Sequence, residues 1–168
     1  MEGLFELVSE RILKGAIEVV NAYYGVVSYN VAKMLIDGEK EPANGKEKAI
    51  ILVFQTLKHM FVINYYIETI EENRYEEAEE VIELLQEDLI KYIAHLIDDV
   101  REIRDTRMHD KIDEIVEYIT RGIDAYRKIK GNMQTLVRKI KRKIGEIKDE
   151  ETKNKILNAL ATSRLNEL

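Results

Sequence analysis

The chain has no cysteine, a single proline at Pro42 and only 8 glycines among 168 residues. Without cysteine, disulfides, zinc ribbons and thiol nucleophiles are excluded, and a reducing cytoplasm is the expected location. The shortage of proline and glycine excludes a strand-and-turn architecture, which needs such punctuation every few residues. A long uncharged apolar run is also missing. The most apolar stretch, from Ala49 to Tyr66, is interrupted by Lys58 and His59 and preceded by Lys46, Glu47 and Lys48. A membrane span needs roughly 18 or more apolar residues with few charges, so this stretch reads as a buried helix, and no membrane partner is expected. The opening Met1-Glu2-Gly3-Leu4-Phe5-Glu6 carries acids where a secretory signal carries bases. Gly-rich phosphate loops, nucleophile elbows and dinucleotide fingerprints are absent, and no cofactor is expected.

What is present points to helices. Apolar residues make up 45% and charged residues 35% of the chain, a composition that folds rather than stays disordered. The length suits one domain spanning 1–168. The expected fold class is all-α, a single-domain up-and-down bundle of about five long helices plus a short C-terminal helix. Abundant Ile, Glu and Lys with little Gln resembles thermophile usage.

The first helix is expected from near Gly3 to Ile36. Its second half is apolar nearly all round, as in a helix at the middle of a bundle, and Gly15 and Gly25 within it mark close helix crossings. The clearest loop is Asp37 to Gly45. A second helix follows from about Lys46 to Ile70, and Asn73-Arg74-Tyr75 is a short connection. The third helix, from about Glu76 to Ile103, carries Ile82, Leu85, Leu89, Tyr92, Leu96 and Ile103 close to a heptad seam. A polar break from Arg101 to Asp110 leads to a fourth helix with Ile112, Ile115, Val116, Ile119, Ile123, Tyr126 and Ile129. Gly131-Asn132 reads as its stop. A fifth helix uses Met133, Leu136, Val137, Ile140, Ile144 and Ile147. Asp149 is placed to cap a short last helix bearing Ile156, Leu157, Leu160 and Leu165, with Glu150 and Glu151 in its first turn. The tyrosines fall at spacings suited to the core or its edge.

Net charge is −6 but unevenly spread. Acids dominate from Glu68 to Asp88, and bases from Arg127 to Lys143. Two readings stand: solvated helix faces that pair with each other, or a basic surface for phosphate backbones. On the second, Arg107, Arg138, Lys139 and Arg142 are the expected RNA-binding residues.

Three histidines are present. His59 lies in an apolar helix and His95 borders the seam of the third, where packing is the default role. His109 stands apart in the polar break, in Arg104-Asp105-Thr106-Arg107-Met108-His109. Near a helix start this spacing sets a fixed cation and a titratable imidazole on one side. Such a pair suits RNA cleavage without a metal. Imidazole moves protons to or from the 2′-hydroxyl and the leaving oxygen, and guanidinium stabilises charge growing on phosphate.

The segment Ala22-Tyr23-Tyr24-Gly25-Val26-Val27-Ser28-Tyr29-Asn30-Val31-Ala32-Lys33-Met34-Leu35 precedes a glycine-containing loop. It resembles the helix of HEPN domains that reads Ala-Tyr-Tyr-Ala, then aromatic and small residues, then Ala-(Lys/Arg)-Ala-Leu-Leu. Members of that family are small helical bundles, many of them ribonucleases of toxin–antitoxin, CRISPR and antiviral systems. Their motif is Arg, four to six residues, then His, often with a polar residue directly after the arginine; Arg104, Asp105 and His109 match it in turn. The resemblance covers roughly residues 16–130, with basic C-terminal helices over 131–168. It implies catalytic roles for Arg104, Asp105 and His109, a homodimer with both motifs facing one cleft, and an antitoxin or other protein partner. Two departures stand out. Asp110 and Lys111 replace the Tyr or Gly that often follows the histidine, and the tail after His109 is longer than in compact members.

Other constellations in the chain are weaker. Glu80 and Glu83 with Glu102 and Asp105 fit the carboxylate pattern of MazG-like pyrophosphatases, but both pairs fall along one helix, over ~30 Å apart at ~1.5 Å per residue. His95 and Asp99 share a helix face, yet the paired Glu-x-x-His pattern of a di-iron centre is missing, so no metal site is expected. The rival to catalysis is a non-catalytic helical interaction or scaffold protein, with Arg104 and His109 part of a solvated helix cap.

Overall fold

A computed structural model describes residues 2–71, 89–128 and 133–162. Among the described residues every regular element is helical and none is a strand. The order is α1 (Glu2–Tyr24), α2 (Tyr29–Ile36), α3 (Gly45–Glu71), α4 (Leu89–Arg104), a 3-10 turn (His109–Lys111), α5 (Ile112–Lys128), α6 (Met133–Gly145) and α7 (Glu150–Thr162). The expected Asn73-Arg74-Tyr75 connection, the Gly131-Asn132 stop, and the seam positions Ile82 and Leu85 lie outside the described residues, as do Ile129 and Leu165.

The single helix expected from Gly3 to Ile36 is two helices. Gly25 sits at φ 103°, in the left-handed region that favours glycine, and ends α1. The Asn21 side-chain oxygen accepts from the Val27 N–H at 2.9 Å, holding the break. Ser28 then caps α2, its hydroxyl accepting from the Val31 N–H at 3.2 Å. Gly25 is therefore a helix terminator, not a crossing point, and open space surrounds the position a Cβ would take. Gly15 does meet a neighbour, Leu57 Cδ1, at 3.4 Å. The start of α3 is fixed reciprocally: Asn44 Oδ1 accepts from Glu47 N–H at 2.9 Å, and Glu47 Oε1 accepts from Ala43 N–H at 3.1 Å.

The residues group into two compact units: Met1–Lys58 with Thr106–Met108, and His59–Asp105 with His109–Leu168. In the first, Ala16, Val20, Ala32, Leu35, Ile50 and Met108 are buried. Tyr24 belongs here too, its hydroxyl accepting from the Arg107 N–H at 3.1 Å while the Arg107 guanidinium lies 4.9 Å from its ring centre.

In the second unit α4 packs on α5 and α6, and α5 on α7. Most positions of the apolar stripes expected from the sequence are buried, Met133 and Leu157 being only half-buried. The buried ones comprise Leu89, Tyr92, Leu96 and Ile103 on α4, Ile112, Ile115, Ile119 and Ile123 on α5, Leu136, Ile140 and Ile144 on α6, and Ile156 and Leu160 on α7. Each such aliphatic side chain contributes about 1.5–3 kcal/mol through removal from water. The tightest approach is at Gly122 on α5, where an added Cβ would meet Ile93 Cγ1 at 3.1 Å and Ile63 Cγ2 at 3.3 Å. The segment Gly45–Glu68 of α3 is long and apolar enough to cross a bilayer by length and composition, and 44% of an apolar 18-residue stretch within it is buried. Its buried residues include two polar ones, Thr56 and His59. Thr56 satisfies its hydroxyl on the Leu52 carbonyl at 2.9 Å.

Candidate functional site at the junction of α4 and α5

Arg104 is the last residue of α4 and Asp105 the first of the following turn. Four residues later the 3-10 turn opens on His109, which is exposed, and α5 begins at Ile112. The apolar stripes explain the junction: Ile103 ends one and Ile112 starts the next, and of the residues between them Met108 alone is buried. Thr106 tightens the turn, its hydroxyl accepting from the Met108 N–H at 3.0 Å.

Arg104 is about half exposed and holds two carboxylates. One Nη donates to Asp105 Oδ1 at 2.9 Å and the other to Asp149 Oδ1 at 3.0 Å. These contacts raise the guanidinium above its ordinary pKa, the Asp105 bond first and the Asp149 charge next, so it is a permanent cation. Asp149 caps α7 as its position in the sequence suggests. Its Oδ2 accepts from the Thr152 N–H at 2.9 Å and from the Thr152 hydroxyl at 2.6 Å. Those bonds, and then Arg104, hold the Asp149 carboxyl below its usual range. A shallow pocket of about 280 Å³ opens here, lined by Arg101, Arg104, Glu146, Ile147, Asp149 and Thr152 among others. Beside it, Arg101 donates to Glu146 at 3.3 Å, and Lys143 reaches Asp98 at 2.8 Å, tying α4 to α6 and the turn after it.

The structure thus brings Arg104 and Asp105 into contact and leaves His109 exposed on the same junction. Arg107 falls in the other compact unit, with its guanidinium on Tyr24. Arg138 and Arg142 are exposed on α6 and Lys139 is half-buried there. Of the MazG-like carboxylates, Glu80 and Glu83 lie outside the described residues. Among the described residues, no group of three or more His, Asp or Glu is arranged to hold a metal ion.

Two features escape the sequence reading. Asp149 is legible as a cap, but its bond to Arg104 joins residues 45 apart in the chain. The second is a buried pair in the other half of the same unit. His59 Nδ1 lies 2.7 Å from Asp99 Oδ2, with the Asp99 side chain fully buried. His95 stacks on His59 at 4.8 Å between ring centres, and Tyr92 meets both rings edge-on. The signal was present: His59 and Asp99 are ionisable residues set among the apolar positions of their helices, and two such residues can satisfy each other. His59 is a packed, hydrogen-bonded core residue.

Comparison with known proteins gives no match: no family model, no curated protein and no solved structure is similar to this chain.

Proposed function

We propose that the chain is a HEPN-like endoribonuclease that cleaves RNA without a metal ion at the α4–α5 junction. One observation supports this reading above others: a permanently charged arginine, held by the adjacent Asp105, and an exposed histidine share one helix junction at the spacing such a reaction uses. In this reaction the His109 imidazole takes the proton of a 2′-hydroxyl as its oxygen attacks phosphorus. The bond to the 5′-oxygen breaks and that oxygen acquires a proton, leaving a cyclic phosphate and a 5′-hydroxyl end. Arg104 stabilises the charge that grows on the non-bridging oxygens, and Asp105 orients it. On this reading the fold is an up-and-down bundle. Two copies face their motifs into one cleft, and the protein acts in the cytoplasm beside an antitoxin-like partner.

A second reading has its own support. Both carboxylates on Arg104 are the chain's own, and Asp149 is at once the cap of α7, so Arg104 also serves as a clamp between helix ends. A protein using Arg104 only in that way is a non-catalytic helical scaffold or interaction module. Incubating mixed RNA in EDTA with wild-type and His109→Ala protein separates the two. The ribonuclease reading expects cyclic phosphate ends from the wild type and none from the variant. Intact RNA with folded wild-type protein supports the scaffold, and cleavage that survives His109→Ala removes His109 from the mechanism.

A further inference from the structure

Helix α6 carries five cations, Arg138, Lys139, Lys141, Arg142 and Lys143, and no acid, in a chain whose net charge is −6. Its inner face is apolar and buried. Lys143 is taken up by Asp98, at 2.8 Å. The outer face presents Gln134, Thr135, Arg138, Lys141, Arg142 and Gly145, all exposed. Arg138, Lys141 and Arg142 stand three and four residues apart on this face, and none forms an ion pair among the described residues. The contrast with α4 is direct, since Arg101 and Arg104 there are each tied to two carboxylates.

Like charges at these spacings oppose the helix, and an ordered surface that keeps them uncompensated has a gain to make from an anionic partner. From these observations we infer that the outer face of α6 is a track for the phosphodiester backbone of RNA, bound without regard to sequence. Cations one turn apart, ~5–6 Å between Cβ atoms, meet successive charges along a strand. Both arginines present the planar fork that grips phosphate oxygens in pairs. The face carries no aromatic ring for stacking bases, so the backbone and not the bases is read. A lipid surface fits poorly: this face has no exposed apolar side chain to insert, the apolar side of α6 being spent in the core. The choice of RNA over DNA rests on the proposed ribonuclease activity, whereas the backbone contact does not.

The test is fluorescence anisotropy with a labelled single-stranded RNA of mixed sequence, on the full chain over a range of salt. Wild type is compared with Arg138→Glu/Lys141→Glu/Arg142→Glu, with the milder triple Gln variant, and with Lys14→Glu/Lys48→Glu/Lys58→Glu. The last makes the same change in net charge at exposed lysines of the first unit. Three phosphate contacts on a single strand contribute a slope near −2 in log K against log salt. Affinity then falls about 20-fold between 50 and 200 mM salt. The inference expects that slope to shrink by about 2 and affinity to drop at least tenfold in both α6 variants, with the control triple close to wild type. Equal binding by the α6 variants, equal loss in the control triple, or no binding by wild type overturns it. Preference for duplex DNA or for phosphatidylserine vesicles over the RNA overturns the choice of partner. His109→Ala must still bind. If it binds and the wild type never cleaves, the ribonuclease reading fails while the track stands.

Discussion

Removing either member of the buried His59–Asp99 pair takes a close hydrogen-bond partner from the other. Asp99 is fully buried and His59 nearly so, with 2.7 Å between Nδ1 and Oδ2. An imidazole that loses its acceptor in that setting costs about 1–3 kcal/mol, and a buried carboxylate that loses one donor costs about as much. Asp99→Ala is therefore expected to lower stability by about 2–3 kcal/mol and His59→Ala by somewhat more, since the latter also forfeits the ring packing against Tyr92 and His95. The double variant removes both sides of the contact. Its loss is expected to fall short of the sum of the single losses by at least about 1.5 kcal/mol. Urea unfolding followed by circular dichroism on all four proteins measures the cycle, with unchanged m-values as the check that the unfolded states are comparable. In thermal unfolding a loss of that size in a chain this long corresponds to a fall in Tm of roughly 5–10 °C. Additivity within about 0.5 kcal/mol would refute the reasoning, because it would mean that the contact, however short, couples nothing.

Gly122→Ala is expected to destabilise by up to about 2 kcal/mol despite alanine's advantage of about 1 kcal/mol in a helix. The new Cβ presses on Ile93 and Ile63, both fully buried, and overpacking of that kind costs about 1–3 kcal/mol; a Tm above wild type would sink the argument. Asp149→Asn keeps a side chain that can cap α7 but removes the charge on Arg104, so its Tm is expected above that of Asp149→Ala at neutral pH. The Asp149 carboxyl is held below its unfolded value. Its contribution is therefore present above the ordinary carboxylate range and lost as pH falls through the lower, folded value. Tm measured from about pH 6 down to pH 2 should converge between wild type and Asp149→Asn at the acid end, and parallel curves would contradict it.

The helices themselves were legible because the core here is built almost entirely from aliphatic stripes at helical spacing. From Leu89 to Ile103 and from Ile112 to Tyr126, the residues that repeat every three or four positions are the buried ones. The break at Gly25 was legible in principle and misassigned. A glycine followed three residues later by serine is a terminator and a cap in sequence, but the unbroken run of apolar residues around it masked the signal. Gly122 drew no notice at all. Nothing local separates a glycine at a close crossing from one merely tolerated in a helix, since the reason lies in Ile63, 59 positions earlier. The candidate site divides the same way. Arg104, Asp105 and His109 are adjacent in the chain, so their nearness was readable. The Asp149 contact was not, because it depends on where α7 begins.

That contact bears on how the two proposals fit together. Around Arg104 the fold supplies its own anions, Asp105 and Asp149, so from a distance the junction offers an approaching phosphate little net attraction. The outer face of α6 has no such internal partners among the described residues, and its field reaches about a Debye length, ~8 Å at physiological salt. On the two proposals together, an RNA strand would be drawn first to α6 and would meet Arg104 only at contact, where a phosphate would take the place of Asp149. The exchange does not unravel α7, because the cap uses Oδ2 and the arginine Oδ1 of the same carboxylate. One oxygen can lose its partner while the other keeps the helix in place. A cation arranged in this way is neutralised at rest and released by a competing anion. A clamp, by contrast, works only while it stays closed. Asp149→Asn weakens the hold on Arg104 without removing the cap, so it should raise RNA cleavage if Arg104 acts on phosphate. If Arg104 is only a clamp, the same substitution should change nothing but stability.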